Sequence, residues 1–219
     1  MNQSTDKALS TRYFLPDIGD IIFFVVLYLL LYIKPEMLLD DGSTGWHLVT
    51  GNYILQHHSI PHTDLMSYTF ADKAWVAYEW FSDIMMALLV QLGGLNLLYV
   101  VIACAIGFLI LLLYTQCRQA GANFVFATFI TIIGALLSAI HWLARPHLFT
   151  FFGVFIFTIQ LHKFYKGALG WKKLLLYLTL YMLIWANSHP AFLLGFAIIA
   201  IYLFSSICQF IFRKNRQMT

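Results

Sequence analysis

Residues 79–92 read EWFSDIMMALLVQL, and Gly93-Gly94 follow at once. The run is helical in pattern but short, and the glycine pair ends it. Such a segment can cross a membrane or lie along its surface. The distribution of positive charge separates the two, because short cytoplasmic loops carry an excess of Lys and Arg. With 79–92 on the surface, the cytoplasmic side receives Lys7 and Arg12, then Arg118, then the loop holding Lys163, Lys166, Lys172 and Lys173, then Arg213, Lys214 and Arg216. With 79–92 across the membrane, the four-lysine loop falls outside. The surface-lying arrangement is therefore expected.

Composition makes lipid the solvent. Of 219 residues, 61% are hydrophobic and 11% are charged, against about 25% charged in ordinary soluble chains. Too little charge remains to cover a water-facing surface. Six apolar stretches approach the length of a spanning helix, roughly 20 residues. They are Ile18–Ile33, Leu95–Thr115, Asn123–Trp142, Leu148–Leu161, Leu174–Trp185 and Ala191–Phe212. The first apolar run has no cleavage site after it and reads as a retained span.

The expected fold is thus all-α: one polytopic transmembrane bundle over 1–219, with about six spans. Residues 1–17 and 213–219 are cytoplasmic, and 35–94 form a long outer loop with the surface helix 79–92. A net charge of +3 gives no case for nucleic acid. Cys104, Cys117 and Cys208 lie in or beside apolar runs without metal-ligand spacing and read as small buried hydrophobes.

This topology puts three polar segments on the outer face. The first is Asp40-Asp41-Gly42-Ser43-Thr44-Gly45-Trp46-His47. Adjacent carboxylates can hold a divalent cation, or one can act as a general base; they can equally cap a solvated loop. The second is Ala144-Arg145-Pro146-His147. Arginine at a span boundary binds anions such as phosphate, or snorkels to the headgroups. The third is Trp185-Ala186-Asn187-Ser188-His189-Pro190. Its Asn, Ser and His can hydrogen-bond a sugar hydroxyl or phosphate, and His189 can move a proton near neutral pH; the segment also makes an ordinary helix–helix turn. Glu79 and Asp83, four apart, share a helix face; paired acids there can line a polar cleft, but the expected reading is the water-facing stripe of 79–92. His57, His58 and His62 cluster loosely without regular ligand spacing.

The stretch DGSTGWHLVTGNYILQHHSIPHTDLMSYTFADKAWVAYEWFSD, from Asp41 to Asp83, resembles a pattern of bacterial polytopic membrane proteins. ARPHLF at 144–149 and WANSHPAFLLG at 185–195 resemble later blocks of the same proteins, although Pro190 stands where a small residue would follow the histidine. Those proteins are similar to GT-C glycosyltransferases, which move a sugar from a polyprenyl-phosphate carrier to an acceptor outside the cytoplasm. The resemblance implies Asp41, or Asp40, as catalytic or metal-binding acid, with a divalent cation such as Mg or Mn. It implies Glu79 as a second acid in the same loop. Arg145 and His147 would face the donor phosphate, with His47, Asn187 and His189 as further substrate-binding residues. Enzymes of this class continue with further spans and often a soluble domain. A minimal module, a piece of a longer protein or a subunit is therefore expected here.

The expected function is transfer of sugar from a lipid-linked donor on the non-cytoplasmic face of a bacterial inner membrane. The implied partners are membrane lipid, that donor and a larger membrane protein. A non-catalytic subunit or scaffold is the alternative. A transporter fits less well, because the spans are nearly free of mid-membrane charge and no internal repeat is seen.

Overall fold

The computed structural model describes residues 16–217. The segment holding Lys7 and Arg12, and residues 218–219 of the expected tail, lie outside the described residues. Among the described residues seven α-helices follow in order: α1 Ile18–Tyr28, α2 Ser43–His57, α3 Trp80–Gln119, α4 Phe124–Ser138, α5 Leu148–Tyr165, α6 Trp171–Ala186 and α7 Leu193–Gln217. No strand forms among the described residues; Thr63 and Ala74 make an isolated antiparallel bridge. Four helical stretches among the described residues are long and apolar enough to cross a membrane: Trp80–Gln119, Phe124–His141, Leu148–Tyr165 and Pro190–Ile211. The protein is an all-α integral membrane protein. The other two expected spans are shorter. Ile18–Ile33 is apolar but stops short of that length, and α6 has 16 residues, or roughly 24 Å at the α-helical rise.

Helix α3 is broken where the sequence placed the break. Gly93 and Gly94 leave helical geometry, and Gly94 has φ 68° and ψ −172°, a region open in practice only to glycine. Trp80–Leu92 is therefore a helix of its own, ahead of the long apolar run that begins at Leu95. The packing of the chain changes at the same point. Met1–Gly42 and Gly93–Ala144 form one compact unit, and Ser43–Leu92 and Arg145–Thr219 another.

In the first unit, α1 opens on a capping box. Asp17 accepts from the Asp20 amide (3.0 Å) and Asp20 from the Asp17 amide (2.9 Å), satisfying donors that a helix start leaves open. Small residues let helices approach, as is usual where lipid is the solvent. A Cβ on Gly107 would meet the Phe23 ring at 3.0 Å, and one on Gly134 would meet Leu113 at 2.5 Å. Asn123 caps α4 by accepting from the Phe126 amide (2.9 Å). The turn Pro35–Leu38 is held by a bond from the Ala144 amide to the Leu38 carbonyl (2.7 Å), with Leu38 fully buried.

In the second unit, α2 is a departure from expectation. Residues 35–78 read as polar loop, yet Ser43–His57 is helical. The reason lies in its packed face. Thr44, His47, Gly51 and Ile54 recur at helical spacing, and Thr44, Gly51 and Ile54 are buried, but only Ile54 would register as apolar. Gly51 packs directly on the backbone of α3: a Cβ there would sit 2.1 Å from the Asp83 carbonyl oxygen.

Helices α5, α6 and α7 share a core of Phe157, Leu161, Leu174, Leu178 and Trp185. Trp185 has no exposed surface. Its ring occupies the space that side chains at Gly153 and Gly195 would take, at 2.5 and 3.1 Å. Gly153→Val is therefore expected to destabilise the detergent-purified protein by about 1–3 kcal/mol, the usual range for overpacking. Thermal unfolding monitored by circular dichroism would check this; an unchanged midpoint would contradict the wedge.

Candidate functional site

Four stretches of the second unit converge: the start of α2, Glu79 with the first turn of α3, the turn preceding α5 and the turn preceding α7. The turn 187–190 is fastened to the start of α3. The Phe81 amide donates to the Asn187 carbonyl (3.1 Å), and Ser82 Oγ donates to the Ser188 carbonyl (2.9 Å). Trp80 Nε1 donates to Asn187 Oδ1 (2.8 Å), while Asn187 Nδ2 donates to the Leu183 carbonyl (2.7 Å). The Asn187 amide thus bonds to the start of α3 through its oxygen and back to α6 through its nitrogen. These bonds fix Glu79, Asp83 and His189 relative to one another.

Asp83 and His47 form a close polar pair. His47 Nδ1 lies 2.7 Å from Asp83 Oδ1, and Asp83 is 3% exposed. Asp83 is therefore not part of a water-facing stripe. It points at α2, because a carboxylate on an apolar helix is costly to bury without a partner. With a carboxylate accepting at Nδ1–H, Nε2 becomes the nitrogen that can take a proton, the relation seen between orienting acid and catalytic base elsewhere.

Glu79 lies beside this pair and is half-buried. Burial raises its carboxyl above the usual range and Asp83 adds to the rise, while His47 and Arg145 oppose it. Across from it, His189 Nε2 is 3.9 Å from Glu79 Oε1. His189 Nδ1 accepts from the Ala191 amide (3.3 Å) and lies 2.9 Å from Thr150 Oγ1, which itself accepts from Trp185 Nε1 (2.9 Å). An amide can only donate, so Nδ1 carries no proton and the neutral ring holds its proton on Nε2, facing Glu79. Burial, then the charges of His147, His47 and Arg145, push His189 down to about 4. At neutral pH the Glu79–His189 contact is accordingly not an ion pair.

Arg145 Nε donates to Ser43 Oγ (2.7 Å), placing a guanidinium at the first residue of α2. Helix N-termini favour anions, and arginine adds a full charge with forked donors. The space beside Gly45, in that first turn, is open. His147 packs edge-on to Phe151 and has its ring centre 6.5 Å from that of His189. No family model, curated protein or solved structure matches the chain.

The second unit therefore joins five expected residues, His47, Glu79, Arg145, His147 and His189, with Asn187 as their fastening. Asp40 and Asp41 belong to the first unit, where Asp40 is exposed and Asp41 half-buried after the Pro35–Leu38 turn. From the sequence, Asp83 stood beside Glu79 on one helix face but not among the expected site residues, and Ser43 and Thr150 were not singled out. For Asp83 the usable signal was a single carboxylate within an otherwise apolar run. Among the described residues no group of three or more His, Cys, Asp or Glu is arranged to hold a metal ion, His57, His58 and His62 included. Mg²⁺ is commonly held by one or two carboxylates plus substrate phosphates, so Asp40 and Asp41 are a donor set that would need the substrate to complete it.

The low pKa of His189 has a definite sign. Between about 4 and the ordinary 6.5, the unfolded ring binds a proton that the folded ring does not. The contribution is complete above 6.5 and is lost as pH falls towards 4. On going from about pH 7 to about pH 5, wild type should lose more thermal stability than His189→Gln. Equal losses would contradict the buried neutral ring.

Proposed function

We propose that this protein is a GT-C-like membrane glycosyltransferase, or the N-terminal core of one, taking a sugar from a polyprenyl-phosphate carrier. One observation carries the reading: Glu79, the His47–Asp83 pair, Arg145 and His189 are gathered into one partly buried cluster at the helix ends of an otherwise apolar chain. Buried ionisable groups in a membrane protein are costly and are kept where they act. Anion-binding and proton-accepting groups side by side suit displacement of a phosphate by a hydroxyl.

In the proposed reaction an acceptor hydroxyl oxygen bonds to the anomeric carbon. The bond from that carbon to the carrier's phosphate oxygen breaks, and the polyprenyl phosphate leaves with the electron pair. Arg145 and the first-turn amides of α2 offset charge on the leaving phosphate. The acceptor's proton passes to a base of this chain. Asp41 is the base named by the family resemblance, whereas Glu79 and His47 are the bases within the cluster. Where a divalent cation is used, Asp40 and Asp41 would hold it, and it would supply charge neutralisation at the phosphate.

The orientation proposed for this chemistry follows the lysines. Helix α5 runs from the Arg145–His147 turn to Lys163 and Lys166, 18 residues or about 27 Å, close to the roughly 30 Å of a hydrocarbon core. The lysine end would face the cytoplasm and the cluster the opposite side of a bacterial inner membrane, with both termini cytoplasmic and Trp80–Leu92 along the outer surface.

The test is transfer of radiolabelled sugar from polyprenyl-phosphate donors in membranes containing only this protein. Arg145→Gln is expected to lower transfer by about 10²-fold or more. Glu79→Gln and Asp41→Asn are compared alongside, and the one acting as base should lose about 10²–10⁴-fold. Transfer at the wild-type rate by Arg145→Gln together with both carboxylate variants would sink the proposal.

A further inference from the structure

The opposite end of α5–α7 holds a groove that the proposed reaction does not use. A cavity of about 480 Å³ opens there, lined by Leu161, Phe164, Tyr165, Leu174, Tyr202 and Phe210, among others. Its wall is apolar except for a few polar groups already bonded within the wall. Gln209 Nε2 donates to Tyr165 Oη, Tyr202 Oη to the Thr158 carbonyl (3.3 Å), and Ser206 Oγ to the Tyr202 carbonyl (2.8 Å). Such a wall accepts hydrocarbon and offers little to a polar solute.

The rim is cationic. Lys163 and Lys166 flank Phe164 and Tyr165 at the end of α5, and Lys172 and Lys173 precede Leu174 at the start of α6; all four are exposed. Lys172 lies 5.7 Å from the Trp171 ring centre, a pairing suited to the headgroup level of a bilayer. The sequence contains no Asp or Glu after Asp83, so the whole of α5–α7 supplies no carboxylate to balance these charges. Among the described residues none of the four lysines forms an ion pair.

We infer that this groove binds an anionic phospholipid of the leaflet at the lysine end, its phosphate among Lys163, Lys166, Lys172 and Lys173 and an acyl chain along the apolar wall. Two complementary features meet in one place: a hydrocarbon-shaped wall and a cluster of cations for which α5–α7 supply no carboxylate. Clustered lysines next to a membrane helix attract anionic lipid. The groove lies about one α5 length, about 27 Å, from the Arg145–His189 cluster, so the inference stands apart from the proposed reaction.

The experiment is native mass spectrometry of the full chain, titrated with dioleoyl phosphatidylglycerol or dioleoyl phosphatidylcholine in matched detergent. Wild type should retain the anionic lipid about tenfold more tightly than the zwitterionic one. The quadruple variant Lys163→Gln, Lys166→Gln, Lys172→Gln and Lys173→Gln should retain both equally. Ser206→Phe fills the groove without changing charge, and it should weaken binding of both lipids. Circular dichroism and size-exclusion profiles confirm that each variant is folded. Equal retention of the two lipids by wild type, or an undiminished preference in the quadruple variant, overturns the inference. So does unchanged binding by folded Ser206→Phe, or competition by glycerol 3-phosphate as effective as the whole lipid, since either reduces the site to a surface anion contact.

Discussion

Trp185 donates its Nε1–H to Thr150 Oγ1 at 2.9 Å, and no part of its ring is exposed. The ring fits only because Gly153 and Gly195 leave room for it. In lipid, helices gain little from hiding apolar surface from one another, so close fit and internal polar bonds hold them together. Trp185 provides both. The same hydroxyl passes the constraint on to His189, whose Nδ1 lies 2.9 Å from Thr150 Oγ1. Thr150 thereby positions the His189 ring, while the Ala191 amide, which can only donate to Nδ1, sets the tautomer and leaves Nε2 facing Glu79.

A second constraint orders the rest of the cluster. The start of α3 is tied through Asn187 and Ser188 to the turn before α7, and α2 lies against the Asp83 backbone because position 51 is glycine. The buried Asp83 carboxyl is tolerable because His47 bonds to it at 2.7 Å. Removing one partner of such a pair would leave a charge or a dipole in apolar surroundings, which costs more than the pair contributes. Structure and candidate chemistry therefore use the same groups, as is common where ionisable residues survive inside a membrane protein.

The two ends of α5–α7 differ in character. One end gathers ionisable groups of both signs: Glu79, Asp83, three histidines and Arg145. The other carries lysines alone around an apolar groove. Mixed, partly buried charge suits proton and group transfer, whereas single-sign exposed charge suits attraction to a lipid surface.

From the sequence by itself followed the membrane class, the helical fold, the break at Gly93-Gly94 and five of the residues now found together, His47, Glu79, Arg145, His147 and His189. These were legible because composition sets the solvent, hydrophobic run length sets the spans, and polar residues stand out against apolar runs. Helix α2 was not legible, since its packed face is Thr44, His47, Gly51 and Ile54 and periodicity methods register apolar side chains. Nor was the partner of Asp83, which lies 36 positions away in the chain. Asn187 read as a ligand group, and only packing turned it into the clasp between the α7 turn and α3. Pairings between distant segments depend on which backbones approach closely enough to touch. Here glycines at 51, 153 and 195 decide that, and their effect exists only once the helices are brought together.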